Sequence, residues 1–260
     1  MRCSEIIGIL EQYSPRSYAE SWDNVGLLVG RREKEVSSVM ITLDATKEVI
    51  EEAIRLEADM IVSHHPMIFS AIKQVTDDDF LGERIVRLLR YDISVYAMHT
   101  NFDVMGMADA AADDLQLSKR SVLQVTFEED GVTEGIGRTG TLSHAMKLSE
   151  CASFVKSVFD IPDVRVYGDL TKEINTVAVC PGAGGSMIEE ALSQKCDVLI
   201  TGDINYHTGI DAVAQGLCII DAGHYGIEKL FIPYMRDFIK REIPSIKIYT
   251  AEIKEPFVTL

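Results

Sequence analysis

The sequence predicts an α/β protein of two α/β domains, the second inserted into the first, with a metal site at strand carboxyl ends in a cleft. Three observations lead there. Short apolar, β-branched runs alternate with amphipathic stretches along most of the chain, the pattern of strands and helices in succession. That alternation changes character near Leu123 and resumes beyond residue 140. Several of the apolar runs end in His, Asp or Glu.

Taken in order, Ser37–Leu43 is a strand and Thr46–Leu56 the helix after it. Asp59–Ser63 is a second strand, residues Asp78–Arg90 include a helix, and Ile93–His99 is a third strand. Short, continuously apolar strands of this kind suit a parallel sheet covered on both faces. Residues 127–140 are acidic and Gly-rich with no helical period, and are taken as a crossing between domains. Beyond them Ser149–Phe159 is helical, Thr176–Cys180 a strand and Ser186–Gln194 a helix. Asp197–Thr201 is a strand, Thr208–Gln215 a helix, and Leu217–Asp221 a strand. A last helix follows Gly223, and Ile246–Ile253 is a final strand.

The chain has 260 residues, 47% hydrophobic and 25% charged, ordinary values for a globular protein of one or two domains. No apolar run approaches the roughly 18 residues that a membrane span needs. The opening Met1-Arg2-Cys3-Ser4-Glu5 carries an acid where a signal peptide begins its apolar stretch, so a cytoplasmic protein is expected. Its five cysteines are scattered and form no CxxC pair, which excludes a zinc knuckle and leaves buried thiols as the expectation for Cys180 and Cys218. A net charge of −16 argues against a nucleic-acid partner, which would call for clustered Lys and Arg.

Three strand ends supply potential ligands. The second strand ends Ser63-His64-His65-Pro66. Adjacent residues inside a strand point to opposite faces, but here the strand is ending, and Pro66 keeps His65 extended. Both imidazoles can then overhang the carboxyl edge of the sheet, where open α/β sheets bind ligands. The third strand ends His99-Thr100-Asn101-Phe102-Asp103. After Asp221 a helix starting past Gly223 would set His224 and Glu228 four apart on one face of its first turn, with Glu228 near the positive helix end. Each histidine alone is more often a satisfied residue than a ligand; the joint occurrence carries the inference.

Three imidazoles and two carboxylates, His64, His65, Asp103, His224 and Glu228, suit divalent zinc, iron, manganese or nickel. Five ligands exceed the needs of one open site and fit two ions per chain, roughly 3.5–4 Å apart, with Glu228 as the bridge. Because Asp103 precedes the Gly-rich crossing and His224 follows the later strands, residues 1–125 plus 220–260 are expected to form the metal-binding domain and 126–219 the second.

At these residues the chain resembles the YbgI-like (Nif-three-like) family, the GTP cyclohydrolase 1 type 2 homologues. The motifs are Ser21-Trp22-Asp23-Asn24-Val25-Gly26-Leu27-Leu28-Val29-Gly30, Ser63-His64-His65-Pro66 and His99-Thr100-Asn101-Phe102-Asp103. Gly135-Ile136-Gly137-Arg138, Thr201-Gly202-Asp203-Ile204-Asn205-Tyr206-His207 and Asp221-Ala222-Gly223-His224-Tyr225 complete them. The resemblance implies a dinuclear metal centre on the same five ligands and a ring-shaped homohexamer. Its longer members carry an extra domain for which this chain has no room. Gly226-Ile227 departs from the Ala-Thr-like pair expected before the Glu.

The remaining motifs weigh less. Pro181-Gly182-Ala183-Gly184-Gly185-Ser186 lies between a strand and a helix, either a phosphate-holding loop or, without a P-loop Lys, a tight turn. Asp203 and His207 suit supporting or substrate-contacting roles, Asp44 caps a helix or serves the site, and His144 reads as a surface residue. Trp22 to Gly30 offers no arrangement that explains a reaction.

The expected function is a dinuclear metal-dependent hydrolase acting on a nucleotide or similar small polar substrate, with His99 or His207 moving protons. A non-catalytic, metal-carrying homo-oligomeric assembly or interaction protein is the alternative.

Overall fold

In the computed structural model, residues 1–252, 255, 257 and 258 are described. Among them the apolar runs pair as β1 (Gly26–Val29), β2 (Ser38–Thr42), β3 (Met60–Ser63), β4 (Ser94–Ala97) and β5 (Ser118–Glu129). Next come β6 (Val132–Lys147), β7 (Arg165–Tyr167), β8 (Glu173–Ala183), β9 (Val198–Gly202), β10 (Cys218–Asp221) and β11 (Lys247–Thr250). Ile253, the end of the expected last strand, lies outside the described residues.

The chain divides into two compact units, Met1–Phe102 with Phe231–Leu260, and Asp103–Leu230. The first holds a five-stranded sheet ordered β1-β4-β3-β2-β11. β11, β2, β3 and β4 run parallel, and β1 joins antiparallel at the edge. Met40, Ile61 and Val95 share one face with Ile50 and Ala53 of helix Lys47–Arg55 and with Ile85 and Leu88 of helix Phe80–Arg90. Each of these Met, Ile, Leu and Val side chains, once fully buried, contributes roughly 1.5–3 kcal/mol. Helix 47–55 starts where Thr46 accepts a hydrogen bond from Val49 N (3.3 Å), and helix 80–90 where Asp79 accepts from Leu81 N and Gly82 N. Helices Cys3–Tyr13 and Phe231–Glu242 also bury one apolar face each.

The second unit holds a six-stranded sheet ordered β5-β6-β8-β9-β10-β7. Its core alternates with period two: Val177, Val179, Val198, Ile200 and Ile220 enter one apolar cluster, while Ala178, Cys180, Leu199 and Ile219 enter the other. The two clusters lie on opposite faces of this sheet, and helix residues enter both.

Both sheets are mixed and not wholly parallel. The acidic stretch at 127–140 forms no crossing between domains but the tip of the β5–β6 hairpin, with Glu129 paired to Val132. Asp130 (φ 51°) and Gly131 (φ 80°) make its two-residue turn, for which an Asp-Gly pair is the standard solution. The unit boundaries accordingly fall at Phe102/Asp103 and Leu230/Phe231, where the sequence had suggested 125/126 and 219/220. Asp103, His224 and Glu228 thus belong to the second unit and His64 and His65 to the first. No helix among the described residues is long and apolar enough to cross a membrane. All five cysteines are free and buried.

Candidate metal centre

Parallel register sets the first group of ligands. Thr42, Ser63 and Ala97 are level at the carboxyl ends of β2, β3 and β4. The ladder runs on just past them: His64 N donates to Thr42 O (3.2 Å), His65 N to Leu43 O (2.9 Å) and Met98 N to Ser63 O (2.9 Å). The backbone is pinned where the side chains leave the sheet. One ring nitrogen from each of His64, His65 and His99 lies within 4.8 Å of the other two. His64 is fully buried, its ring 5.2 Å from that of Phe231.

All three rings are fixed through Nδ1. His64 Nδ1 donates to Met98 O (2.8 Å), His65 Nδ1 to Asp44 Oδ1 (2.9 Å) and His99 Nδ1 to Asp23 Oδ1 (3.0 Å). With the proton held on Nδ1, the neutral ring presents its Nε2 lone pair, the arrangement typical of metal-binding histidines. Asp44 is therefore the anchor of His65, and the helix cap is Thr46. Burial by itself would raise the Asp23 carboxyl, but hydrogen bonds from His99 and Thr100 outweigh it and hold it at about 2.

The second unit brings ligand-type side chains to a strand edge of its own. Asp221 and Thr201 are level at the ends of β10 and β9, so the residues that follow them emerge together. Buried Asp221 gathers that edge by accepting from Arg165 Nη2 (2.5 Å), Ile204 N (3.1 Å) and Gly223 N (3.0 Å). Gly223, at φ 75°, turns the chain into helix His224–Glu228. His224 repeats the pattern of the other histidines, its Nδ1 donating to Asp203 Oδ2 (2.8 Å) while Nε2 stands 3.1 Å from Glu228 Oε2. The shared face was expected, but the helix has only five residues. Glu228 closes it and gains nothing from its positive end. Gly226 sits in the departure from the family pattern, and a Cβ there would meet Ile161 Cγ2 at 3.3 Å.

Asp103 lies one turn beyond the β4 end, at the start of a π-helical stretch, Asp103–Met107. Wide turns of this kind recur at functional sites. Buried Arg138 braces the stretch, donating to Val104 O (3.2 Å), to Asp109 (2.7 and 2.9 Å) and to Glu134 (3.0 Å). Carboxylate oxygens of Asp103 and Glu228 lie within 4.8 Å of each other. Burial, then these two carboxylates, push the Cys180 thiol far above its ordinary value. Gly182 belongs to β8 at a φ of +72°, and a Cβ on it would run into Glu228 Oε1. Its glycine makes room for the carboxylate, a third option beside the phosphate loop and the tight turn. The Gly-rich spacing was visible in the sequence; what it accommodates was not.

His207 is exposed on helix Tyr206–Ala214, its ring edge-on to Tyr206 at 5.3 Å. It enters no cluster of three ligand groups among the described residues. His144 is exposed and pairs with Ser143 Oγ (3.1 Å).

Among the described residues, groups of His, Asp and Glu could hold metal ions, and their chemistry fits. Neutral imidazoles and carboxylates are the donors of borderline divalent metals, and the carboxylates of half-buried Asp103 and buried Glu228 repel at this separation unless a proton or a cation intervenes.

The sequence profile of the Duf34/NIF3 (NGG1p interacting factor 3) family matches residues 1–256. The chain belongs to this family. A Duf34/NIF3 relative from Clostridium acetobutylicum, named GTP cyclohydrolase 1 type 2 homolog, is 39% identical over 231 residues, 88% of this chain and 85% of that protein. The crystal structure of a Bacillus cereus protein related to NIF3 superposes with a TM-score of 0.91 at 26% identity, covering 100% of this chain and 99% of the other. The solved structure of protein ybgI shares the fold at a TM-score of 0.83 and 24% identity, over 99% of this chain and 100% of that one.

Proposed function

We propose that this Duf34/NIF3 protein is a dinuclear metal-dependent hydrolase, with His64, His65, Asp103, His224 and Glu228 holding two divalent ions per chain. One observation carries the reading. Four histidines, His64, His65, His99 and His224, each donate Nδ1 to a fixed acceptor, a carbonyl once and an aspartate three times. Core or surface histidines need no such uniform orientation, whereas metal ligands do. Divalent cations supply Lewis acidity and lower the pKa of water, the chemistry a hydrolase needs at neutral pH.

His99 moves the proton in this proposal. Its Nδ1 proton is held by Asp23, so Nε2 is the atom that takes up or gives back a proton. His207, exposed beside Tyr206, is the second candidate carrier. The substrate class is a nucleotide or similar small polar molecule, following the relatives' name, GTP cyclohydrolase 1 type 2 homolog.

The test is metal analysis of protein purified without chelators, followed by a hydrolysis screen across nucleotides with each metal restored. Up to two ions per chain and metal-dependent turnover are expected. Tight metal binding without turnover of any nucleotide favours the other reading, a metal-carrying homo-oligomeric assembly. The family's description as an interacting factor supports that reading too.

A further inference from the structure

The Trp22–Gly30 segment holds no reactive group of its own, yet its first three residues divide three tasks between them. Asp23, its side chain fully buried, accepts from His99 Nδ1 (3.0 Å), Thr100 N (3.0 Å) and Thr100 Oγ1 (2.5 Å). Asn24 Nδ2 donates to Ile68 O (2.6 Å), tying the segment to the loop that carries Phe69. Trp22, next to these two anchors in the chain, is left 56% exposed, and Phe69 is 59% exposed beside it. Their ring centroids are 5.8 Å apart at 42°, and His99 stands 6.0 Å from Trp22 and 6.5 Å from Phe69, edge-on to each.

Two large aromatic rings exposed side by side need a reason, because water is a poor neighbour for them. Their position supplies it: the pair abuts His99, one of three clustered imidazoles, so a molecule approaching that imidazole meets these rings. Both rings are held by neighbours whose own hydrogen bonds are internal, which keeps the surface in place at little entropic cost on binding.

We propose that Trp22 and Phe69 form an aromatic wall on which a planar heteroaromatic ring of the substrate packs, placing the rest of the substrate at His99. This rests on the histidine cluster being the reaction centre. Trp22 and Phe69 are specificity residues here, and Asp23 and Asn24 are positioning residues. The occupant is a ring-bearing small molecule; stacking on aromatic side chains tolerates any base, since every base has a π-face.

Trp22 is the chain's single tryptophan, so indole fluorescence reports on the wall directly. The probes are the four common ribonucleoside monophosphates, with ribose 5-phosphate as the ring-free control. At least one nucleotide should quench emission saturably while ribose 5-phosphate does not, and Phe69→Ala should raise its dissociation constant about tenfold. Metal content and solution mass are measured on the same samples. The wall is overturned if no nucleotide quenches, if ribose 5-phosphate quenches equally, or if Phe69→Ala binds as tightly as the parent. Loss of the oligomer in Phe69→Ala with nucleotide binding intact also overturns it, by making the pair a contact between copies. Protein that takes up no divalent metal yet shows ring-specific quenching fails the metal reading and keeps the wall.

Discussion

His224 Nε2 stands 3.1 Å from Glu228 Oε2, one turn along a helix of five residues. Asp103 brings a second carboxylate within 4.8 Å of Glu228. If Glu228 spans two cations, its charge matters more than its shape. Glu228→Gln keeps the shape, removes the charge and should lower the occupancy of at least one ion, with any hydrolytic rate falling alongside. Glu228→Asp keeps the charge but shortens the reach, and should retain some single-ion binding. Wild-type metal stoichiometry in Glu228→Gln would show that the carboxylate is no ligand.

The ring anchors offer a second test. Asp44 and Asp203 do not sit among the five proposed ligands, but they fix His65 and His224. Replacing either by Asn should weaken metal binding about 10–100-fold while leaving the melting temperature nearly unchanged, since both side chains are about half exposed. The double variant His64→Ala/His65→Ala should lose most of the metal outright. Competition titrations with a metal indicator separate these cases, and unaltered affinity in all of them removes the assignment.

Acid stability reads the Asp23 anchor. Its carboxyl is held at about 2 in the folded protein against an ordinary 3.8. A folded-state pKa below the unfolded one stabilises at pH above the unfolded value, and that stabilisation fades as pH falls through the folded value. The difference is about 2 kcal/mol. In metal-free protein, Asp23→Asn should therefore be less stable than wild type near neutrality, and the gap should close between about pH 4 and pH 2. A gap independent of pH in denaturant melts would mean that the loss is one of packing alone.

The parts visible in the sequence are those set by local pattern. Met60–Ser63 and Val198–Gly202 are short apolar runs with nothing polar to interrupt them, and strand ends at His64 and Asp221 follow from the chain itself. Pairings across long separations were not visible. Asp23 meets His99 76 residues away, and Asp44 meets His65 21 residues away, so neither could be told from a turn or a cap. Asp130-Gly131 is a hairpin signal in the sequence itself, but it lies in an acidic, Gly-rich stretch that reads equally as a crossing between domains. Gly226 and Gly182 show the limit again: one packs on Ile161 and the other on Glu228, both distant in sequence.

Assembly is a separate question from ligation. The family resemblance implies a ring of six chains, and light scattering at micromolar concentration should report a homohexamer. A monomer under those conditions overturns it. Because no ligand of the proposed centre is needed to make that measurement, its result bears on assembly whatever the metal content.

Gly182 gives the sharpest separation of site from fold. It sits at φ +72°, where any other residue is strained, and a Cβ there would collide with Glu228 Oε1. Gly216 shares the first property, with φ +96°, but has nothing within 4 Å of its Cβ position. Alanine at either position carries a left-handed backbone penalty of roughly 1–2 kcal/mol, so Gly216→Ala measures that penalty alone. Gly182→Ala adds a steric push on a buried carboxylate whose other oxygen faces His224. Both variants should lose comparable stability in denaturant melts if Glu228 can swing aside, but only Gly182→Ala should lose metal, because the carboxylate leaves its place beside His224. Equal metal content in the two variants would mean that the position of Glu228 is immaterial to binding. A loss in Gly216→Ala as large as in Gly182→Ala would mean that metal uptake follows global stability and not the geometry at Glu228.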